Sequence, residues 1–198
     1  MLLQDMFRLP INRDVPFMSM VTRLDAQKGI DLVVRVMDEF LKDDIQFVVL
    51  GTGEHQYEHA LMNAAYRHPD KMSVHLTFDE GLSRKIYAAS DLFLMPSLYE
   101  PCGISQFIAF RYGAVPIVRE TGGLRDVVQP YNEYTGEGNG FSFSNYNAHD
   151  MLYTIRRAVR FFHDKKAWNK ILNNINQKDY SWYQSAKQYA QLYQQLLQ

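Results

Sequence analysis

Short apolar runs alternate with amphipathic ones through most of this chain, and that alternation restricts the fold more than any other feature of the sequence. Residues 15–21 and 45–50 read as buried strands, and the stretch 29–42 between them carries helical spacing, which makes a βαβ unit. The pattern continues with helices expected over 57–66, 82–89 and 107–112 and strands over 72–76, 91–96 and 115–118. Pro96 ends one strand and Gly113 one helix, while residues 130–138 read as a polar surface loop. Such a chain predicts an α/β fold: a doubly wound, mostly parallel sheet covered on both faces, with ligands at the carboxyl ends of the strands.

Beyond about Ala148 the pattern becomes helical, over 151–162, 167–175 and from 181 to the end. In the last helix Trp182, Ala186, Tyr189, Tyr193 and Leu196 recur at helical spacing. This aromatic stripe requires cover, either from its own sheet or from a second domain.

Composition excludes several functions. With 198 residues, 46% hydrophobic and 22% charged, the chain is an ordinary folded domain rather than a disordered one. A net charge of −1 gives no general attraction for nucleic acid or an anionic membrane, so neither is an expected partner. Cys102 is the single cysteine, and no run has the length of a membrane span or the pattern of a signal sequence; a reducing cytoplasm fits best.

The post-strand loops carry the candidate chemistry. Glu100-Pro101-Cys102-Gly103-Ile104-Ser105-Gln106 places a carboxylate, a glycine and a hydroxyl where a strand turns into a helix, and the free amides of a helix start suit a phosphorylated ligand. Arg23 and Lys28, directly after the first strand, offer a guanidinium fork and a mobile point charge, a pair suited to a diphosphate although equally found on solvated faces. Gly51-Thr52-Gly53 lacks the third glycine of a dinucleotide fingerprint and reads as a tight turn that permits close approach. Thr77-Phe78 offers a ring that either flanks a flat base or packs. His55 and His59 have no third ligand nearby, and Cys102 has no base beside it, so neither a metal site nor covalent catalysis is expected.

Three runs occur in the same order as in bacterial glycogen synthases and plant starch synthases: the one from Thr22 to Asp31, the one from Glu100 to Gln106, and Val118-Arg119-Glu120-Thr121-Gly122-Gly123-Leu124-Arg125-Asp126. The whole chain resembles the C-terminal, donor-binding half of these retaining glucosyltransferases, through to the final helix beginning Tyr180-Ser181-Trp182-Tyr183. The resemblance implies a Rossmann-like domain over 1–198, one half of a GT-B enzyme that transfers glucose from ADP-glucose to the non-reducing end of an α-1,4-glucan without a metal or other cofactor. It implies that Arg23 and Lys28 grip the diphosphate and stabilise departing ADP, that Glu100 fixes sugar hydroxyls, and that Thr77 and Phe78 border adenine. The resemblance further implies that Gly51, Gly53 and Cys102 belong to the same nucleotide-sugar surface, that Gly103, Ile104 and Ser105 serve the distal phosphate and glucose, and that Thr121 and Gly122 border the glucose.

Two departures from the pattern shape these expectations. Many GT-B relatives hold ribose with a second glutamate eight residues after the first, where this chain has Ile108, in agreement with the bacterial ADP-glucose subgroup. Nothing here corresponds to the N-terminal domain with its Lys-Thr-Gly-Gly-Leu loop, so the active site is expected to be half present and the chain alone to bind ADP weakly and transfer little glucose. The helix over 176–198 is then expected to dock on that missing domain or to mediate a homodimer. Competing readings are a GT-B enzyme using UDP- or GDP-sugars, against which Ile108 argues, and a noncatalytic nucleotide-sugar or glucan-binding module. A dehydrogenase is disfavoured by the missing fingerprint at the first strand.

Overall fold

The structure, a computed structural model, describes residues 2–197. Its centre is a sheet of six strands: β1 (Phe17–Val21), β2 (Gln46–Leu50), β3 (Met72–His75), β4 (Leu92–Met95), β5 (Val115–Arg119) and β6 (Phe141–Phe143). All pairings are parallel among the described residues, in the order β3-β2-β1-β4-β5-β6. The chain winds outward from β1 in one direction and from β4 in the other. The crossovers leaving these two neighbours run in opposite directions along the sheet, and at such a switch point a crevice forms at the carboxyl ends of the strands.

Side chains alternate between the two faces of the sheet, and the core divides accordingly. Phe47 and Val49 join the larger cluster with Val33, Met37 and Phe40 of α2 (Ile30–Phe40) and Ile155 of α7 (Ala148–His163). Phe17, Val48 and Leu50 point the other way, onto Ile86 of α4 (Glu80–Ala89) and onto Phe7 and Leu9, which follow a short α1 (Leu2–Met6). With both faces covered, every residue of β2 and β4 is buried, which explains why these strands read as continuous apolar runs rather than alternating ones. The remaining crossover helices are α3 (His55–Arg67), α5 (Ser105–Tyr112) and α6 (Gly122–Val127).

Gly29 is where local conformation and the site meet. Its φ of +73° closes a 3₁₀ turn, Ala26–Lys28, and starts α2, and a Cβ there would stand 2.2 Å from the Pro96 carbonyl oxygen. Glycine therefore lets the β1 loop lie directly on the end of β4.

Elements α1, α6 and β6 are absent from the sequence expectations. Strand β6 has only three residues, too few for a periodic signal, and α6 begins with two glycines, the poorest helix formers after proline. The aromatic stripe is a larger departure. Helix α9 (Trp182–Leu196) follows α8 (Lys165–Asn176), but none of its residues is buried, and Trp182 is 88% exposed. Packing of the stripe on its own sheet does not occur: the link from α8 is anchored through Tyr180, which stacks 5.5 Å from Phe110, and the helix beyond it buries none of its residues.

Candidate active site

The crevice is built from the loops after β1 and β4. Asp25 accepts the Lys28 amide at 3.0 Å and shapes the 3₁₀ turn; the Leu98 amide donates to the Gln27 carbonyl at 2.8 Å and ties the two loops together. Across this seam the Lys28 ammonium donates to Glu100 Oε2 at 2.6 Å, and the Ser97 hydroxyl approaches the same oxygen at 3.4 Å. The two side chains are only 19% and 10% exposed, so the pair is held away from bulk water, where charge-assisted hydrogen bonds are strong.

Beside the pair, α5 begins with open amides. Those of Gly103, Ile104 and Ser105 have no hydrogen-bond partner among the described residues. The loop carrying them is pinned from below by buried Gln106, whose side-chain amide donates to the Cys102 and Gly103 carbonyls at 3.0 Å each. Burial pushes the titration of Tyr87 up, with the neighbouring Ser105 side chain acting against it. Lys28, Glu100, Gly103, Ile104 and Ser105 line one small cavity of about 70 Å³ together with Ser97 and Thr22. Positive charge, a carboxylate and three free N–H donors thus converge on one point.

A second cavity of about 310 Å³ adjoins the first, sharing Val21 and Thr22. Arg23, Gly51, Thr77 and Phe78 line it, with the start of α4 at Glu80 and Ser83. The Phe78 ring is 95% exposed, so simple packing does not account for it. Arg23 is 67% exposed and, among the described residues, is held by Asp25 at 3.2 Å and Gln27 at 3.1 Å, surface contacts that a stronger anion displaces at little cost.

Other residues singled out in the sequence line neither cavity. Gly53 bridges to Leu24 and lets the β2 loop press on the β1 loop. Cys102 is an exposed free thiol. Thr121 precedes α6, whose first two residues lie behind the Glu100 loop: Gly122, at a φ of +44°, sits so close that a Cβ would stand 2.1 Å from the Glu100 carbonyl oxygen, and the Gly123 amide donates to the Glu100 and Pro101 carbonyls. His55 and His59 stack on each other at 6.1 Å, and no cluster of three metal-ligating side chains exists among the described residues. Among the same residues, no helix is long and apolar enough to cross a membrane.

Two residues with no role assigned from the sequence stand beside the crevice. Arg119, the last residue of β5, donates to the Leu98 carbonyl at 2.6 Å and lies over the Tyr146 ring at 5.5 Å. Tyr146 donates to Asp31 at 2.5 Å, and burial together with this carboxylate holds its titration well above the ordinary tyrosine range. Arg119 was visible as a charge at a strand end within a matched run; Tyr146 carried no local signal.

The model of the family described as "Glycosyl transferases group 1" matches residues 3–178. Curated relatives include glycogen synthases of Clostridium novyi, 55% identical over 98% of this chain, and of Desulforamulus reducens, 54% identical over the same share. The chain spans 41% of the length of each. Among solved structures it is similar to the catalytic domain of starch synthase IV from Arabidopsis thaliana bound to ADP and acarbose, with a TM-score of 0.87 at 34% identity, covering 98% of this chain and 41% of that one. Sucrose-phosphate synthase from Thermosynechococcus elongatus shares the fold at 22% identity and a TM-score of 0.71. With the family matched over nearly its whole length and the sheet order that places a crevice between β1 and β4, this chain belongs to the group 1 glycosyl transferases and has the Rossmann-like fold of their GT-B members.

Proposed function

We propose that this chain is the donor-binding part of a glycogen synthase, a retaining enzyme that moves glucose from ADP-glucose to the non-reducing end of an α-1,4-glucan. The observation that carries this reading is the juxtaposition of the buried Lys28–Glu100 pair with the open amides of Gly103 to Ser105, next to a cavity bounded by Arg23 and Phe78. The likeness to glycogen synthases and to a starch synthase bound to ADP supports it. The diphosphate lies across the junction of the two cavities, gripped by Arg23 and Lys28, with the helix-start amides on its distal phosphate. Negative charge grows on departing ADP as the glycosidic bond breaks, so these donors stabilise the transition state more than the ground state. Glu100 holds Lys28 in place and accepts from sugar hydroxyls. Thr77 and Phe78 border the adenine, with the exposed ring as a stacking face. Positive charge comes from the two side chains and the α5 amides, and no metal is invoked. Gly122 acts through the Glu100 loop it lies against, and Thr121 through the helix start it precedes. The acceptor glucan and the N-terminal domain that completes the cleft are the partners in this reading, with the exposed face of α9 as the contact to that domain.

Titrating ADP, ADP-glucose and UDP-glucose into the wild-type chain and into Arg23→Ala tests the assignment by calorimetry. ADP is expected to bind in preference to UDP-glucose and to lose about tenfold in affinity in the variant, the scale of one charge-assisted contact. Equal ADP affinity in wild type and variant would remove the diphosphate role of Arg23.

A further inference from the structure

We propose that Arg119 and Tyr146 are positioning residues that hold Lys28 and Glu100 in register from behind, without contact to the donor. This inference rests on the site reading above for its functional meaning and on geometry alone for its mechanism.

The contacts form a closed circuit. Tyr146, in the connection after β6, points its hydroxyl at Asp31 Oδ1 (2.5 Å) with the Ala26 carbonyl 3.2 Å away. Ala26 begins the 3₁₀ turn that ends at Lys28, and Asp31 lies in the first turn of α2, so the hydroxyl grips both sides of the lysine. The next residue of the turn, Gln27, accepts from the Leu98 amide at 2.8 Å. The Leu98 carbonyl in turn accepts from Arg119 Nη1 at 2.6 Å, with the Ser97 carbonyl 3.4 Å from the same nitrogen. Arg119 then closes the loop by lying on the Tyr146 ring. Lys28 follows Gln27 directly, and Glu100 comes two residues after Leu98, so the circuit encloses the stems of both members of the pair.

The chemistry suits holding rather than binding. Arg119 has no carboxylate partner among the described residues and its Nε is buried without a partner, so its hold depends on two loop carbonyls and an aromatic face. Neither Arg119 nor Tyr146 lines either cavity. An ammonium displaced by one ångström loses most of a 2.6 Å charge-assisted bond, so small slack in the two loops is felt at the pair.

Two measurements on the same chain test this. The ammonium resonance of Lys28, identified in ¹⁵N-lysine-labelled protein by its loss in Lys28→Arg, reports the pair without reference to any ligand; ADP affinity reports its use. In Arg119→Gln, the Lys28 signal is expected to broaden beyond detection and ADP to bind about five- to tenfold more weakly, with Arg119→Lys recovering part of both effects. Tyr146→Phe, which removes a single oxygen and keeps the ring under Arg119, decides the matter should Arg119→Gln fail to fold, with an expected loss of about two- to fivefold and a shifted Lys28 signal. An unchanged Lys28 signal in folded variants overturns the proposal, whether or not ADP binding changes, since weaker binding alone would place Arg119 on the ligand. Absence of ADP binding in the wild type would sink the donor-site reading instead, while the Lys28 signal still decides the circuit.

Discussion

Burial separates residues of like charge in this protein. Arg23 and Lys28 sit five positions apart in one loop, yet Arg23 stands in water while Lys28 is drawn against Glu100. An exposed guanidinium is free to follow a ligand, and a half-buried, ion-paired ammonium acts only where its partner holds it. A third charged group, Asp91, shows burial acting against ionisation. It lies at the opposite end of β4 from the crevice and accepts the Phe17 amide at 2.9 Å, but burial outweighs that bond and raises its titration above the ordinary 3.8. The folded state thus holds this proton more tightly than the unfolded chain. The group favours folding below its ordinary value, and that contribution is lost as pH rises through the higher folded value. Asp91→Asn keeps an acceptor for Phe17 and removes the charge, so its melting temperature is expected to exceed that of the wild type at pH 7 and to converge with it near about pH 4. Calorimetric melts at the two pH values check this; a lower midpoint for the variant at pH 7 would show that the ionised form contributes more than its burial costs.

Among the elements, α2 and α9 make opposite use of helical periodicity. Both present an apolar stripe, but that of α2 closes the main core with Ile30, Val33, Met37 and Phe40, whereas α9 leaves Trp182, Tyr189, Tyr193 and Leu196 in solvent. An element that buries nothing contributes little to stability, and removing residues 182–197 while keeping Tyr180 is expected to shift the melting midpoint by no more than about 2 °C. A large drop on truncation would mean that α9 packs on the domain in solution. The same exposure is what the contact with an N-terminal domain requires under the proposed function, since an aromatic face of this size is uncommon on a surface with no partner. Helix α5 shows a third use. It is short and carries its chemistry at its first turn, where loop contacts from Gln106, Gly122 and Gly123 hold the open amides in place.

At the scale of the whole molecule, Lys28, Glu100 and the start of α5 converge at the crevice between β1 and β4, and the chain spans 41% of the length of its glycogen synthase relatives. Under the proposed function the chain alone is expected to bind ADP yet transfer no measurable glucose from ADP-glucose to glycogen; turnover in the usual enzymatic range of about 1–10³ per second would overturn this. The alternation of apolar and amphipathic runs determined the doubly wound sheet, because strand and helix periods are local properties that side-chain spacing reports directly. Residue type and position after a strand likewise marked Arg23, Lys28 and Glu100, since chemistry at a strand end is written within a few residues. What the sequence left open depends on contacts between distant segments. Lys28 meets Glu100 across 72 positions, and Tyr146 reaches Asp31 across 115, because the sheet brings the ends of β1, β4, β5 and β6 side by side. The aromatic stripe of α9 looked the same in sequence whether packed or exposed, and only the tertiary fold decided between them: periodicity specifies that a face is apolar, while the path of the chain at Tyr180 specifies what, if anything, that face meets.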